Sequence, residues 1–229
     1  MAPEVKLAIH LSSLEKEGWD VEECVAWTNR LGIQFVEAGA AVRGEWGDAA
    51  ELRRLLESYK LTLEAVDAAG EIAELEPQLR WAAEAGCRQV VVARVDMDQA
   101  PRMAEMAERL KMAINVDLCG GAARVEEVRE ILEKIDSPWM RAAIDTGHAF
   151  SAGCDPLELA AAFEGRVGHF RIRTGGREAV PLRSAIDLLL DGDYRGGIGI
   201  LEESGRARAL AARVEEVRRA LELTIHNSR

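Results

Sequence analysis

The sequence predicts an α/β protein folded as one compact (β/α)8 barrel with short loops, and three observations predict it. Short β-branched runs alternate with helix-period stretches from end to end, which implies a parallel sheet because parallel neighbours need a crossover helix. Eight such units are spread evenly over the chain, the spacing of a closed barrel forming a single domain over residues 1–229. No Gly-x-Gly-x-x-Gly run follows the first strand, so the main signal for an open dinucleotide-binding sheet is missing.

The expected strands are Val5–His10, Gln34–Glu37, Leu61–Val66, Gln89–Ala93, Met112–Val116, Met140–Ile144, Val167–Ile172 and Ile198–Leu201. Between them, apolar residues recur at helical spacing. Leu52, Leu55 and Leu56 share a face, as do Val125, Val128, Leu132 and Ile135, and Leu210, Val214, Val217 and Leu221. Asp20 and Asp48 each have a Glu three residues on, as in a capping box, and Asp155-Pro156 sets a capping side chain ahead of a proline at the first helical position. The octapeptide AARVEEVR occurs at 122–129 and again at 211–218, at equivalent places in the fifth and eighth helices. Convergence of similar exposed helices explains it as well as repeat ancestry does.

Composition narrows the function. Hydrophobic residues make up 48% of the chain, as in ordinary globular proteins, and the net charge of −11 argues against a nucleic-acid partner. No apolar run approaches the ~18 residues of a membrane span, and the N-terminus lacks a signal-peptide core. A cytoplasmic protein is expected. Cys24, Cys87, Cys119 and Cys154 show no metal-type pairing and read as reduced thiols. Cys119 and Cys154 fall in loops near the expected site, but neither has a base beside it in sequence, so filler is favoured over reactivity.

A (β/α)8 barrel builds its active site from the C-terminal ends of its strands. That rule selects His10 and Ser12, Glu37, Asp67, Arg94 and Asp96, Asn115 and Asp117, Asp145 and His148, Arg171 and Arg173, then Glu202 and Glu203. Such density of directional groups suits a polyhydroxylated ligand, although strand ends are often polar for solubility alone. Asp145 ends an apolar run, and Thr146-Gly147-His148 is read as a turn that brings the histidine back beside it. The pair can bind a cation or deprotonate a hydroxyl; equally, Asp145 can simply cap the turn. Arg171, Arg173 and Gly175-Gly176, with Ser204-Gly205 after strand eight, could form the phosphate site that barrels build from those loops, or could be solvated turns. Trp46 in the loop after strand two could stack on a sugar ring, whereas Trp19, Trp27, Trp81 and Trp139 read as packing residues. His169 is expected to point away from the lumen.

The segment AIDTGHAFSAGCDP followed by GRVGHFRIRT resembles the sugar phosphate isomerase/epimerase family of xylose isomerase-like TIM barrels. GIQFVEAGA resembles that family's second strand and YRGGIGILEES its eighth, so the likeness spans the chain and is sharpest over residues 140–174. It implies one divalent metal ion (Mg, Mn or Zn) held by a strand-five Glu, the strand-six Asp, a strand-seven His and a strand-eight Glu. Only Asp145 matches cleanly; His148 matches a histidine that contacts substrate. Asn115 stands at the strand-five Glu position, Asp117 at a nearby His, and Arg171, which cannot ligate a cation, at the strand-seven His. Glu203 is preferred over Glu202 at strand eight, because Gly199, Leu201 and Glu203 share a face if strand alternation continues. Should a metal be retained, its ligands would be Asp145, Asp117 and Glu203.

The resemblance implies an isomerase or epimerase acting on a sugar, a sugar phosphate or a related hydroxy-keto acid. Glu203 or Asp117 would transfer the proton, and His148 and Asp145 would orient hydroxyls. Arg171 would stabilise the anionic intermediate with or without a metal, while His10, Glu37, Trp46, Asn115 and Arg173 would contact substrate. The alternative is a catalytically decayed barrel that binds a carbohydrate-like ligand or a protein partner. The superfamily's metal-dependent apurinic endonuclease chemistry is rejected, since it needs a histidine cluster and a basic DNA track, and this chain has four His. Barrels of this kind often form homodimers.

Overall fold

A computed structural model describes residues 6–15, 17–39, 47–70, 72–174, 182–191, 194 and 196–227. In chain order the elements are β1 (Lys6–His10), α1 (Ser12–Glu15), α2 (Val21–Arg30), β2 (Phe35–Ala38), α3 (Ala49–Ser58) and β3 (Thr62–Ala68). They continue with α4 (Ile72–Glu84), β4 (Gln89–Val92), α5 (Ala100–Leu110), β5 (Ala113–Asp117), α6 (Ala122–Ile135) and β6 (Met140–Asp145). The last are α7 (Thr146–Ser151), α8 (Pro156–Ala162), β7 (Val167–Thr174), α9 (Leu182–Asp191), β8 (Gly197–Glu202) and α10 (Ala207–Asn227). The strands pair in sequence order, all parallel, and β8 closes on β1 through Ala8 and Gly199, so the expected closed eight-stranded barrel is the fold.

Strand alternation divides the chemistry between two faces. Ile9, Val36, Val90, Val92, Ile114, Val116, Phe170, Ile172, Ile198 and Ile200 belong to the hydrophobic core between sheet and helices. Leu52, Leu56, Val128, Leu132, Leu210, Val214 and Val217 pack there from the helices, as their periodicity predicts. The intervening strand positions face the lumen, and many are polar and buried: Glu37, Glu64, Gln89, Asn115, His169 and Arg171. Barrel interiors are ordinarily filled by branched apolar side chains, so this lumen departs from the norm. Burying such groups is costly unless they are paired, so their partners within the lumen matter to stability.

Local signals mostly act as read. Asp20 forms the reciprocal capping box with Glu23, while Asp48 caps α3 one way only, accepting from Ala50 and Glu51. Asp155 caps α8 ahead of Pro156. The two AARVEEVR copies make the same pair of i,i+3 ion pairs, Arg124–Glu127 with Arg129–Glu126 and Arg213–Glu216 with Arg218–Glu215. One reading needs correction. Thr146-Gly147-His148 is not a bare turn but the first turn of α7, because the Asp145 side chain accepts from the Gly147 and His148 backbone N–H groups.

Candidate active site at the C-terminal mouth

The centre of the mouth is Arg171, 4% exposed. Its Nε donates to Glu37 Oε2 at 3.0 Å, and its two terminal nitrogens fork onto Asp67 at 3.1 and 2.7 Å. Asp145 Oδ2 lies 3.8 Å away. Glu37 is wholly buried, and burial alone would raise its pKa; His169 and Arg171 outweigh that and hold it at about 2. Asp67 is likewise held well below the ordinary range: burial opposes, but Arg171 and His10 prevail. Burial works against the charge of Arg171, yet Asp67 and Glu37 raise its pKa further. His10 closes this layer, with Nε2 3.2 Å from Asp67 Oδ2 and Nδ1 2.6 Å from Ser12 Oγ.

A second layer lies one step further out. Arg173 forks onto Asp145 through Nε (2.9 Å) and a terminal nitrogen (2.7 Å), and its other terminal nitrogen donates to Glu203 Oε1 at 3.0 Å. The nitrogen bound to Asp145 also lies 3.1 Å from His148 Nε2. His148 Nδ1 is 2.7 Å from Asp117 Oδ2, and Asp117 Oδ1 accepts the Cys119 backbone N–H at 3.1 Å. With Asp117 and Arg173 on its two sides, the neutral histidine carries its proton on Nδ1 and leaves Nε2 as acceptor. The hydrogen bond to Asp117 raises the His148 pKa, against partial burial. A cavity of about 320 Å³ opens beside this pair, lined by Cys119, Gly120, Gly121, His148, Ser151 and Ala152.

Most residues selected from the sequence therefore meet. His10, Glu37 and Arg171 share the inner layer; Asp117, Asp145, His148, Arg173 and Glu203 share the outer one. Glu202 is tied instead to Thr174 and to the Ser204 backbone N–H, which leaves Glu203 as the strand-eight acid at the mouth. Asn115 goes elsewhere: its Nδ2 donates to Gln89 Oε1 at 3.1 Å in a chain leading to Glu64 and Lys6, at the N-terminal end. Arg94 pairs with Asp96 on the surface, 76% exposed, apart from these layers. Trp46 and Gly175-Gly176 lie outside the described residues.

His169 is a further correction. It shares a face with Arg171, as the two-residue strand period requires, and its Nε2 lies 3.3 Å from Glu37 Oε1. The approach is badly angled, so both atoms lack a true hydrogen bond. Asp67 and Cys119 take places in the site that their sequence positions do not announce. Asp67 became central only when Arg171 crossed the lumen to it. Cys119, two residues past Asp117, has a base after all, because the fold sets His148 next to both.

A closed parallel barrel whose ionisable groups gather at the C-terminal strand ends defines the class: a TIM-barrel protein with its site at the usual mouth. More narrowly, the chain belongs to the xylose isomerase-like TIM barrel family, whose pattern matches residues 7–225. No curated protein matches the sequence. Among solved structures, D-psicose 3-epimerase with D-tagatose from Clostridium cellulolyticum H10 is similar with a TM-score of 0.78 at 14% identity, covering 95% of this chain and 99% of that one. L-ribulose 3-epimerase gives 0.77 at 14%, covering 98% and 97%. The probable 3-DHS dehydratase AsbF from Bacillus anthracis, involved in petrobactin synthesis, gives 0.69 at 14%, covering 92% and 98%. At such identities the likeness is one of fold.

The divalent metal that the family implies does not fit the centre of this mouth. Asp145 Oδ1 already accepts from Gly147 N, His148 N and Arg173 Nε, and Oδ2 from Arg173. The Arg171 guanidinium stands among Glu37, Asp67 and Asp145, where a dication would meet a fixed positive charge. Asp145 and Glu203 converge on Arg173, whereas Asp117 turns to His148, so these three acids do not form one ligand set. A different group, Asp117, Cys119 and His148, offers one oxygen, one sulfur and one nitrogen within 4.8 Å of one another. That donor set suits a softer cation such as zinc.

Proposed function

We propose that this chain is an isomerase or epimerase of a small hydroxy-carbonyl compound, a sugar, sugar phosphate or hydroxy-keto acid, whose anionic intermediate is stabilised by guanidinium groups. The observation that carries this reading is the Asp117–His148 pair, hydrogen bonded at 2.7 Å beside an open cavity with Arg173 at 3.1 Å from the ring. Asp117 fixes the tautomer, so Nε2 takes the hydroxyl proton once substrate displaces its contact with Arg173. Arg173 stands where negative charge would develop on the neighbouring oxygen, and its fork onto Asp145 keeps it aimed. Glu203 moves the proton at carbon in this reading, which its 43% exposure, the greatest of these carboxylates, supports. Arg171 holds Glu37 and Asp67 ionised beneath the mouth and sets the local potential. No step passes through a metal in this scheme. The structural neighbours with epimerase names support the substrate class by analogy of fold.

The second reading, a decayed barrel that binds a carbohydrate-like ligand, is favoured by the degree to which the arginines already satisfy Glu37, Asp67 and Asp145. Deuterium exchange separates the two. A panel of ketoses, ketose phosphates and hydroxy-keto acids incubated with the protein in deuterated water should show C–H exchange for at least one member. His148→Gln and Asp117→Asn should each slow it by about 10²-fold or more. Exchange in no member, or exchange indifferent to both variants, rejects the enzyme reading.

A further inference from the structure

We propose that the opposite, N-terminal mouth of the barrel is a binding site for a small oxyanion that also carries a hydroxyl hydrogen, the chemistry shared by hydrogen phosphate and 2-hydroxy carboxylates. It concerns the far end of the barrel and is independent of the reaction proposed above. A cavity of about 160 Å³ opens there, lined by Lys6, Glu64, Arg88, Gln89, Asn115 and Arg141 among others.

Two independent features point to such a ligand. The first is charge. Lys6 is paired with Glu64 at 3.2 Å, so those two cancel and, among the described residues lining the cavity, Arg88 and Arg141, whose Nε donates to Pro138 O, remain as a net positive pair at the rim. In a chain of net charge −11 that is a local reversal of sign, and guanidinium groups suit planar or tetrahedral oxyanions. The second is an orphan. Asn115 is fully buried, its Nδ2 is committed to Gln89, and its Oδ1 has no hydrogen-bond partner among the described residues. An unpaired buried carbonyl is destabilising and is ordinarily retained for a reason. Gly168 packs closely on this side, since a Cβ there would lie 2.0 Å from Asn115 Oδ1 and 2.8 Å from Arg141 Cδ. Cations at the rim and an acceptor at the floor require a ligand with negative charge outward and a donor inward. A bare dianion satisfies only the rim.

The probes are inorganic phosphate against sulfate, and glycolate against acetate, titrated into the full chain by calorimetry at low ionic strength and neutral pH. Saturable binding is expected, with phosphate preferred over sulfate and glycolate over acetate, each by about tenfold. Whichever donor-bearing anion binds tighter identifies the class. Replacing both rim arginines (Arg88→Gln with Arg141→Gln) should weaken binding by about tenfold or more. Asn115→Ala should bring the two preferences to about one; should that variant fail to fold, the preferences of the unaltered chain still decide. Arg173→Gln, at the other mouth, should leave the affinity unchanged. Absence of saturable binding, equal affinity within each pair, or a loss that follows Arg173 and not the rim arginines overturns the proposal.

Discussion

Replacing Arg171 with methionine tests whether the inner layer is held by charge. The side chain is 4% exposed, and its removal strands Glu37, which is fully buried, together with the half-enclosed Asp67. Breaking one partner from a buried pair costs about 3–5 kcal/mol, because the remaining charge is left without compensation. The depressed pKa of Glu37 gives the scale for its partners together, His169 first, then Arg171 and His10. Glu37 has an ordinary pKa of 4.5 and is held at about 2, a gap that corresponds to ~3 kcal/mol. A depressed carboxylate adds stability that is fully present above its unfolded pKa and is lost as pH falls through the folded one. For the parent protein the ionised Glu37, held by His169, Arg171 and His10 together, therefore contributes a constant amount from pH 7 to pH 5, declining below about 4.5 toward 2. In Arg171→Met, burial is opposed mainly by His169, so Glu37 rises and the sign of the pH dependence reverses. The assay is urea denaturation followed by circular dichroism at pH 5 and pH 7. The variant should lose about 3–5 kcal/mol at pH 7 and recover part of it at pH 5, relative to the parent. A loss under about 1 kcal/mol, or the absence of any recovery at pH 5, would show that the lattice is not electrostatic in the sense argued.

Other expectations follow from the same geometry. Asp117→Asn removes the hydrogen bond that raises the His148 pKa, so the acid limb of any pH–rate profile that depends on neutral His148 should move to lower pH; a limb that stays put excludes His148 as the base. In the native protein, iodoacetamide should label Cys119 and Cys154, which are half-buried, and spare Cys24 and Cys87, which are buried, with Cys87 pushed up to about 12 by burial; peptide mass mapping reads this directly. Labelling at Cys119 should be slower than for a free thiol, since burial and Asp117 raise its pKa. Gly199→Ala would place a Cβ 2.2 Å from Glu37 Oε1 and should destabilise the barrel by about 1–3 kcal/mol in thermal melts, an unchanged melt refuting the close packing. Asp20→Ala deletes a reciprocal cap and should cost about 1 kcal/mol in the same measurement.

What the sequence determined by itself was the fold and the positions of most site residues. Alternation of Val and Ile along the strands and the capping aspartates are local signals, and a parallel barrel is the arrangement that satisfies all of them together. The C-terminal rule then places Asp145, His148, Arg171 and Glu203 at one mouth without knowledge of any distance. Tertiary structure decided the partners. That Arg171 reaches across to Glu37, 134 residues away, and to Asp67, 104 residues away, depends on barrel closure and side-chain length. Asn115 and Asp117, on the same strand and the same face, serve opposite ends of the barrel, because two residues along a tilted strand separate the middle layer from the rim. His169 lay within reach of strand periodicity, which puts it beside Arg171. The mouth chemistry is thus a product of long-range pairing: residue type sets which charges exist, and only closure of the sheet sets which of them neutralise one another.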